Sequence, residues 1–306
     1  MRIAILGAGA MGGLFSAYLS KEHDVTVIDV NEALVNKINC DGIVVEEKDG
    51  AKKTYHPKAT CDTSGMEPVD LVVIFVKAMF SDTALKNNQS IIGDETYILT
   101  LQNGSGHEDV LLNFADCAHA VIGATQHNAS LISLGEIRHG GIGKTVIGCT
   151  QGDSTHLQHI SDAFTACDLE CAVDCDVQKL IWNKMFTNVS ISALTGVLQV
   201  PIGFIATDAN AWSACCQLVK EAVEVAEGMG MHFDYEEKLA EVKAVCDNGP
   251  NGLTSIYADL RDGRRTEVDT ISGSIVRASQ KCGVPAPTHT LLVQLIHAME
   301  AKAAQK

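Results

Sequence analysis

The stretch LIWNKMFTNVSIS, residues 180–192, places Lys184, Asn188 and Ser192 four residues apart. At helical spacing, an ammonium, an amide and a hydroxyl then lie one above another on a single face. Two readings fit this stripe. An ordinary solvated face produces it, usually with more charges around it. A surface that handles a carbonyl or carboxylate produces it too, because a lysine can stabilise negative charge on oxygen and deliver a proton to it.

A second constellation opens the chain. The apolar run RIAIL is followed at once by GAGAMGG, so Gly7, Gly9 and Gly12 stand in G-x-G-x-x-G spacing between a strand and a helix, with Ala10 and Met11 between them. In that context the glycines supply a tight turn, a close backbone approach to a pyrophosphate and close helix–strand packing, with the helix N-terminus facing the anion. A Gly-rich turn without a ligand is the bland alternative. Asp29 ends the second strand, DVTVID, where an acidic residue accepts hydrogen bonds from both adenosine ribose hydroxyls. A 2′-phosphate there meets like charge, and no arginine follows to compensate it, so NAD(H) is favoured over NADP(H). Alternatively, Asp29 only caps the helix that begins at Asn31. Lys77 in VKAM and Asn103 in LQNGSG end two further strands, the edge at which ligands bind in such sheets. Lys77 is placed to touch a ribose or phosphate, and Asn103 the nicotinamide ribose or a substrate. A snorkelling lysine and an Asn-Gly turn account for the same residues.

These groups need elements to hold them. Apolar strands alternate with helices up to about residue 176, the pattern of a doubly wound, mostly parallel sheet. GIVVEE and KTYHP read as a hairpin, GEIRHGGIGKTVIG as a two-stranded excursion, and LECAVDC as a strand. Beyond it, residues 178–199, 209–230, 234–247, 253–261, 265–282 and 288–304 carry helical periodicity, with Gly and Pro at the joints. The expected class is therefore α/β: an N-terminal Rossmann sheet over residues 1–170 and an all-α segment over 171–306. With 306 residues, 46% of them hydrophobic, each part has enough chain for its own core. A net charge of −15 argues against nucleic acid and anionic membranes as partners. No run is long and apolar enough for a membrane span, and the N-terminal run is too Gly-interrupted for a signal peptide. The eleven cysteines are then expected to be reduced thiols in a cytoplasmic protein. Cys167, Cys171 and Cys175 lack the short ligand pairs of zinc sites, so no metal is expected.

Taken together, the N-terminal G-x-G-x-x-G, VKA and QNG at two strand ends, WNKMFTN, and SIYADLRDGRRTEVD resemble the ketopantoate reductases (2-dehydropantoate 2-reductases) along essentially the whole chain. The resemblance implies reduction of a 2-keto acid by a nicotinamide cofactor. It places the catalytic lysine on Lys184 and the catalytic glutamate on Glu267. It places substrate-contacting groups on Asn188, Ser255 and Asn103. Two departures stand out: Ser192 occupies a position where the family often has asparagine, and Asp29 with Val30 stands where NADP-dependent members carry arginine. Both lean towards an NADH-dependent D-2-hydroxyacid dehydrogenase acting on branched or aromatic 2-keto acids. A non-catalytic dinucleotide sensor is the reading from another class, and it has no use for Lys184 with Glu267. Arg264 and Arg265 either bind the substrate carboxylate or, the favoured expectation, pair with surface acids, and His127 and His139 are expected to be structural or surface groups. A homodimer through the helical segment is the expected assembly.

Overall fold

The short apolar runs of the first half assemble into one sheet. The computed structural model describes residues 1–305. Its strands are β1 (Arg2–Leu6), β2 (Asp24–Ile28), β3 (Ile43–Glu46), β4 (Lys52–Tyr55), β5 (Lys58–Thr60), β6 (Leu71–Ile74), β7 (Tyr97–Thr100), β8 (Ala120–Thr125), β9 (Asn128–Ser133), β10 (Glu136–Gly141), β11 (Thr145–Cys149) and β12 (Cys171–Val173). Eight of them pair in the order β12-β11-β8-β7-β6-β1-β2-β5. Only the β8–β11 pairing is antiparallel. β6 is buried along its whole length, as parallel strands are when both faces are covered. Leu14, Phe15 and Leu19 of the helix Ala10–Leu19 pack into the same core as Ile3, Ile5, Val25, Val73 and Phe164. The Rossmann architecture expected from the alternating pattern is thus present.

A second, four-stranded sheet runs β4-β3-β10-β9. The β3–β4 hairpin is the expected one. The excursion at residues 135–148 is different: its two halves join different sheets. β10 pairs with β9 and, in parallel, with β3, whereas β11 returns to the large sheet beside β8. A buried polar chain accompanies this crossing. The Tyr18 hydroxyl donates to Glu47, the Glu47 carboxylate meets His139 Nδ1 at 3.0 Å, and His139 Nε2 meets His127 Nδ1 at 3.1 Å. Both histidines are buried, structural groups, and burial holds the His127 pKa below the usual imidazole range.

The chain divides into two compact units. The first comprises Met1–Gln102 with His107–Gln178, the second Asn103–Gly106 with the chain from Lys179 onward. A boundary at 170/171 would leave β12 outside the sheet in which it pairs with β11. Among its described residues the regular elements of the second unit are all helices: the greater part of Val177–Thr187, then Ala193–Leu198, Ile202–Thr207, Ala209–Gly228, Tyr235–Asn248, Ser255–Arg261, Ser272–Cys282 and Pro287–Ala303. Two local departures from the expected helices matter. Asn188–Ser192 forms a π turn inside the first of them. Hydroxyls meet carbonyls in it and just before it: Ser190 Oγ donates to Phe186 O at 2.6 Å, and Thr195 Oγ1 to Ile191 O at 3.0 Å. The helix expected over 265–282 starts only at Ser272. Gly263, at φ +70°, turns the chain, and the Thr266 amide and hydroxyl both bond to Glu300 at 2.7 Å instead of continuing a helix.

The core of this unit holds an acid-sensitive histidine beside a buried glutamate. Glu221 is buried and accepts hydrogen bonds from the amides of Thr288 and His289, capping the helix Pro287–Ala303. His289 is fully buried and donates from Nε2 to Leu218 O at 3.0 Å. Burial depresses its pKa to about 4, so the folded protein resists protonation there while the unfolded chain does not. This contribution is complete above pH ~6.5 and is lost as the pH falls from there towards 4, about 3 kcal/mol in all. Urea unfolding of His289→Gln at a series of pH values is expected to show a shallower acid slope than wild type. An unchanged slope would remove His289 from the account.

Candidate active site

The glycine turn is built to receive an anion. Gly7 sits at φ +96°, and a Cβ there would lie 2.8 Å from the Val76 amide nitrogen; one on Gly12 would collide with the Gly7 carbonyl oxygen. No side chain is tolerated at either place. Gly9, in contrast, is exposed, and nothing lies within 4 Å of where its Cβ would be. Ala10 and Met11 follow, partly exposed, in the first turn of a helix that no side chain caps. Open space over such a helix start fits a pyrophosphate, and these residues would hold it.

Beside the turn lies a cleft of about 320 Å³ whose lining includes Asp29, Val30, Asp62, Phe80 and Asn88. Among the described residues no lysine or arginine lines it. Asp29 uses one carboxylate oxygen to accept from the Ala8 amide at 2.7 Å and the other from the Asn31 amide at 2.9 Å. It ties the second strand to the glycine turn, and a carboxylate has lone pairs left for two more donors. The helix cap itself is Asn31, whose Oδ1 accepts from the Leu34 amide. Lys77 stands half-buried just beyond β6, at the start of a 3₁₀ turn.

Asn103 belongs to the helical unit. It directly follows Gln102, yet Asn103–Gly106 packs with the second set of residues. There the Lys184 ammonium donates to Asn103 Oδ1 at 3.4 Å. Lys184 keeps solvent access, but enough protein surrounds its ammonium for desolvation to lower its pKa below the usual lysine range. Asn188 is half-buried at the start of the π turn, and Ser192, 5% exposed, closes it. Wide turns of this kind recur at functional sites, and periodicity cannot reveal them. Ser255 is exposed at the first position of the helix Ser255–Arg261. Its neighbour Thr254 caps that helix and bonds Thr195 at 2.8 Å, which ties the Ser255 end to the π-turn helix.

Glu267 is half-buried in the loop that precedes Ser272, not on a helix. Its carbonyl accepts from the amides of Thr270 and Ile271 at 3.1 Å. The same loop meets the Asn103 segment, since the Ser105 amide donates to Thr270 O at 3.1 Å. Lys184, Asn103 and the Glu267 loop are thereby linked through one tetrapeptide. Arg264, itself exposed, pairs with the buried Asp259 and with Asp262, so only one of its two acids lies at the surface. One residue with no signal in the sequence also serves this region. Lys238 is buried and donates to Asn183 Oδ1 at 2.7 Å, anchoring the residue next to Lys184.

Among the described residues no group of His, Cys, Asp and Glu has the geometry to hold a metal ion. Cys167 Sγ faces Leu19 O, Cys171 Sγ faces Ala172 O, and Cys175 is exposed. Among the described residues no helix is long and apolar enough to cross a membrane. The arrangement that remains is a dinucleotide cradle in one unit and, in the other, an ammonium of lowered pKa with amide, hydroxyl and carboxylate groups on adjoining segments.

The chain matches the family model "Ketopantoate reductase PanE/ApbA" over residues 3–152 and "Ketopantoate reductase PanE/ApbA C terminal" over residues 176–300. It is 31% identical to the 2-dehydropantoate 2-reductase of Pyrococcus abyssi, covering 100% of both chains. Its fold is similar to that of a D-mandelate dehydrogenase solved with NADH and anilino(oxo)acetate, at 28% identity and a TM-score of 0.90 over 99% of each chain. It is also similar to a putative 2-dehydropantoate 2-reductase of Enterococcus faecalis, at 29% identity and a TM-score of 0.81 over 99% of each chain. Matches of this extent, over both parts of the chain and around the residues just described, mean that the protein belongs to the ketopantoate reductase family.

Proposed function

We propose that the protein reduces a 2-keto acid with NADH, ketopantoate being the first candidate substrate. The observation that carries this reading is the Lys184 ammonium, lowered in pKa by desolvation and hydrogen-bonded to Asn103. A bound nicotinamide supplies the hydride for the keto carbon. Lys184 donates to the carbonyl oxygen, stabilises the negative charge that grows there and gives up an Nζ proton to it. Asn103 steers the ammonium. Asn188 and Ser255 donate to the substrate carboxylate or carbonyl, and Ser192 sets the room for the substrate side chain. Glu267 orients Lys184 and accepts a hydrogen bond from a substrate hydroxyl or amine. Gly7, Gly9, Ala10, Met11 and Gly12 hold the pyrophosphate, Asp29 the adenosine ribose and Lys77 a ribose or phosphate.

The choice of NADH rests on the cleft beside Asp29, where Asp62 adds a second carboxylate and, among the described residues, no lysine or arginine lines the wall. The same feature favours a second reading within the family: a D-2-hydroxyacid dehydrogenase for branched or aromatic 2-keto acids. The likeness to a D-mandelate dehydrogenase solved with NADH supports it.

Initial rates with ketopantoate, phenylglyoxylate and 4-methyl-2-oxopentanoate, each with NADH and with NADPH, test both. The leading reading expects the highest kcat/KM with ketopantoate. A higher value for phenylglyoxylate selects the second reading. Tight NADH binding without turnover of any keto acid overturns both in favour of a dinucleotide sensor.

A further inference from the structure

Two backbone segments carry groups of the proposed site, Asn103 in 103–106, which steers Lys184, and Glu267 in 266–271. Neither is helix or strand, so neither is held by a regular hydrogen-bond ladder. Their junction is nevertheless close. Gly104, at φ +100°, leaves no room for a Cβ beside the Thr270 carbonyl oxygen, and the Ser105 amide donates to that same oxygen.

One side chain spans the junction. Arg277, half-buried on the helix Ser272–Cys282, donates from Nη1 to Asp269 O at 2.6 Å and from Nη2 to Ser105 O at 3.1 Å. A Cβ on Gly106 would lie 2.9 Å from Nη2, so the guanidinium is packed against the segment it binds. The Asp269 carboxylate, on the same loop, is engaged separately by His297 Nε2 at 3.0 Å. A planar fork with donors in fixed directions suits two carbonyls on different segments; a lysine, as a compact point charge, does not reproduce it.

We infer that Arg277 is a positioning residue of the reductase site, fixing the Asn103 segment and the Glu267 loop against each other through their main-chain carbonyls. The inference rests on the reductase reading. Through Asn103 it bears on Lys184, and through the loop it bears on Glu267. A misplacement of about 1 Å at such groups can lower a rate on the order of 10²-fold.

The test compares wild type, Arg277→Met and Arg277→Lys. Hydrogen–deuterium exchange is followed on peptides covering 103–106 and 267–271, and kinetics are measured with the best keto acid of the panel, per mole of folded enzyme. Exchange is expected to quicken in both segments of Arg277→Met. Its kcat/KM for the keto acid is expected to fall about 10–100-fold, with the NADH Kd unchanged. Arg277→Lys, which keeps the charge and folds with the least disturbance, is expected to lie between the two on both measures. Exchange that stays at wild-type rates in both segments overturns the inference. So does a kcat/KM within two-fold of wild type accompanied only by a lower Tm, which is what a merely structural strap would give. A wild type inert towards every keto acid sinks the reductase reading instead, and the exchange data then decide alone whether Arg277 straps the two segments.

Discussion

Lys184→Ala is expected to lower kcat by on the order of 10²–10⁴-fold, the range of a lost general acid. The lysine is solvent-accessible and sits among the helices of the second unit, so its removal should leave the fold intact. NADH affinity should stay near that of wild type, because the glycine turn, Asp29 and Lys77 all belong to the first unit. The pH profile carries the same signature. The protonated lysine is the active form, so wild-type kcat/KM falls as the pH rises through the Lys184 pKa. Desolvation has lowered that pKa, which brings the alkaline limb below the ordinary lysine value of about 10.4. In the variant this limb disappears. Turnover within a few-fold of wild type, or a collapse of NADH binding, would take the acid role away from Lys184.

The second large effect concerns the cofactor. Wild type is expected to favour NADH over NADPH by ten-fold or more in kcat/KM. Asp29 offers the ribose hydroxyls charge-assisted hydrogen bonds, each worth roughly 1.5–3 kcal/mol. NADPH loses them and brings a phosphate of about −2 charge up to two carboxylates, Asp29 and Asp62. Asp29→Ala should erase most of the preference. It also releases the Ala8 and Asn31 amides, so its Tm should drop and the rates must be taken per folded enzyme. Placing arginine at Val30, which is 95% exposed beside the cleft, should then improve NADPH use in that background. A wild type that prefers NADPH would mean that Asp29 serves only the glycine turn.

What could be read from the sequence was whatever depends on neighbours along the chain. The glycines, the strand ends and the helical half all leave local patterns. The fate of GEIRHGGIGKTVIG did not, because β10 and β11 are separated by pairing with β3 and β8, partners 92 and 20 residues away at Arg138–Glu46 and Thr145–Thr125. The π turn at Asn188–Ser192 has the composition of any buried helix. Glu267 looked helical because its neighbours have helical spacing, while Gly263 and the bonds from Thr266 to Glu300 hold that stretch as a loop. Arg277 and Lys238 escaped for a different reason. Arg277 acts on backbone carbonyls, and Lys238, besides pairing with Glu241 nearby, reaches Asn183 55 residues away; neither distant contact leaves a trace in the sequence.

The membership of Asn103–Gly106 in the helical unit has a consequence for how the protein is made. The carbonyl of Ser105 waits for a donor 172 residues further along the chain. A ribosome delivers that donor only after about ten to thirty seconds of synthesis, at roughly 5–20 residues per second. Throughout that interval the segment after β7 has no permanent home, and closing so long a loop is slow by nature. A nascent chain cut short before Arg277 should therefore keep this tetrapeptide open to proteases, however well its first strands have formed.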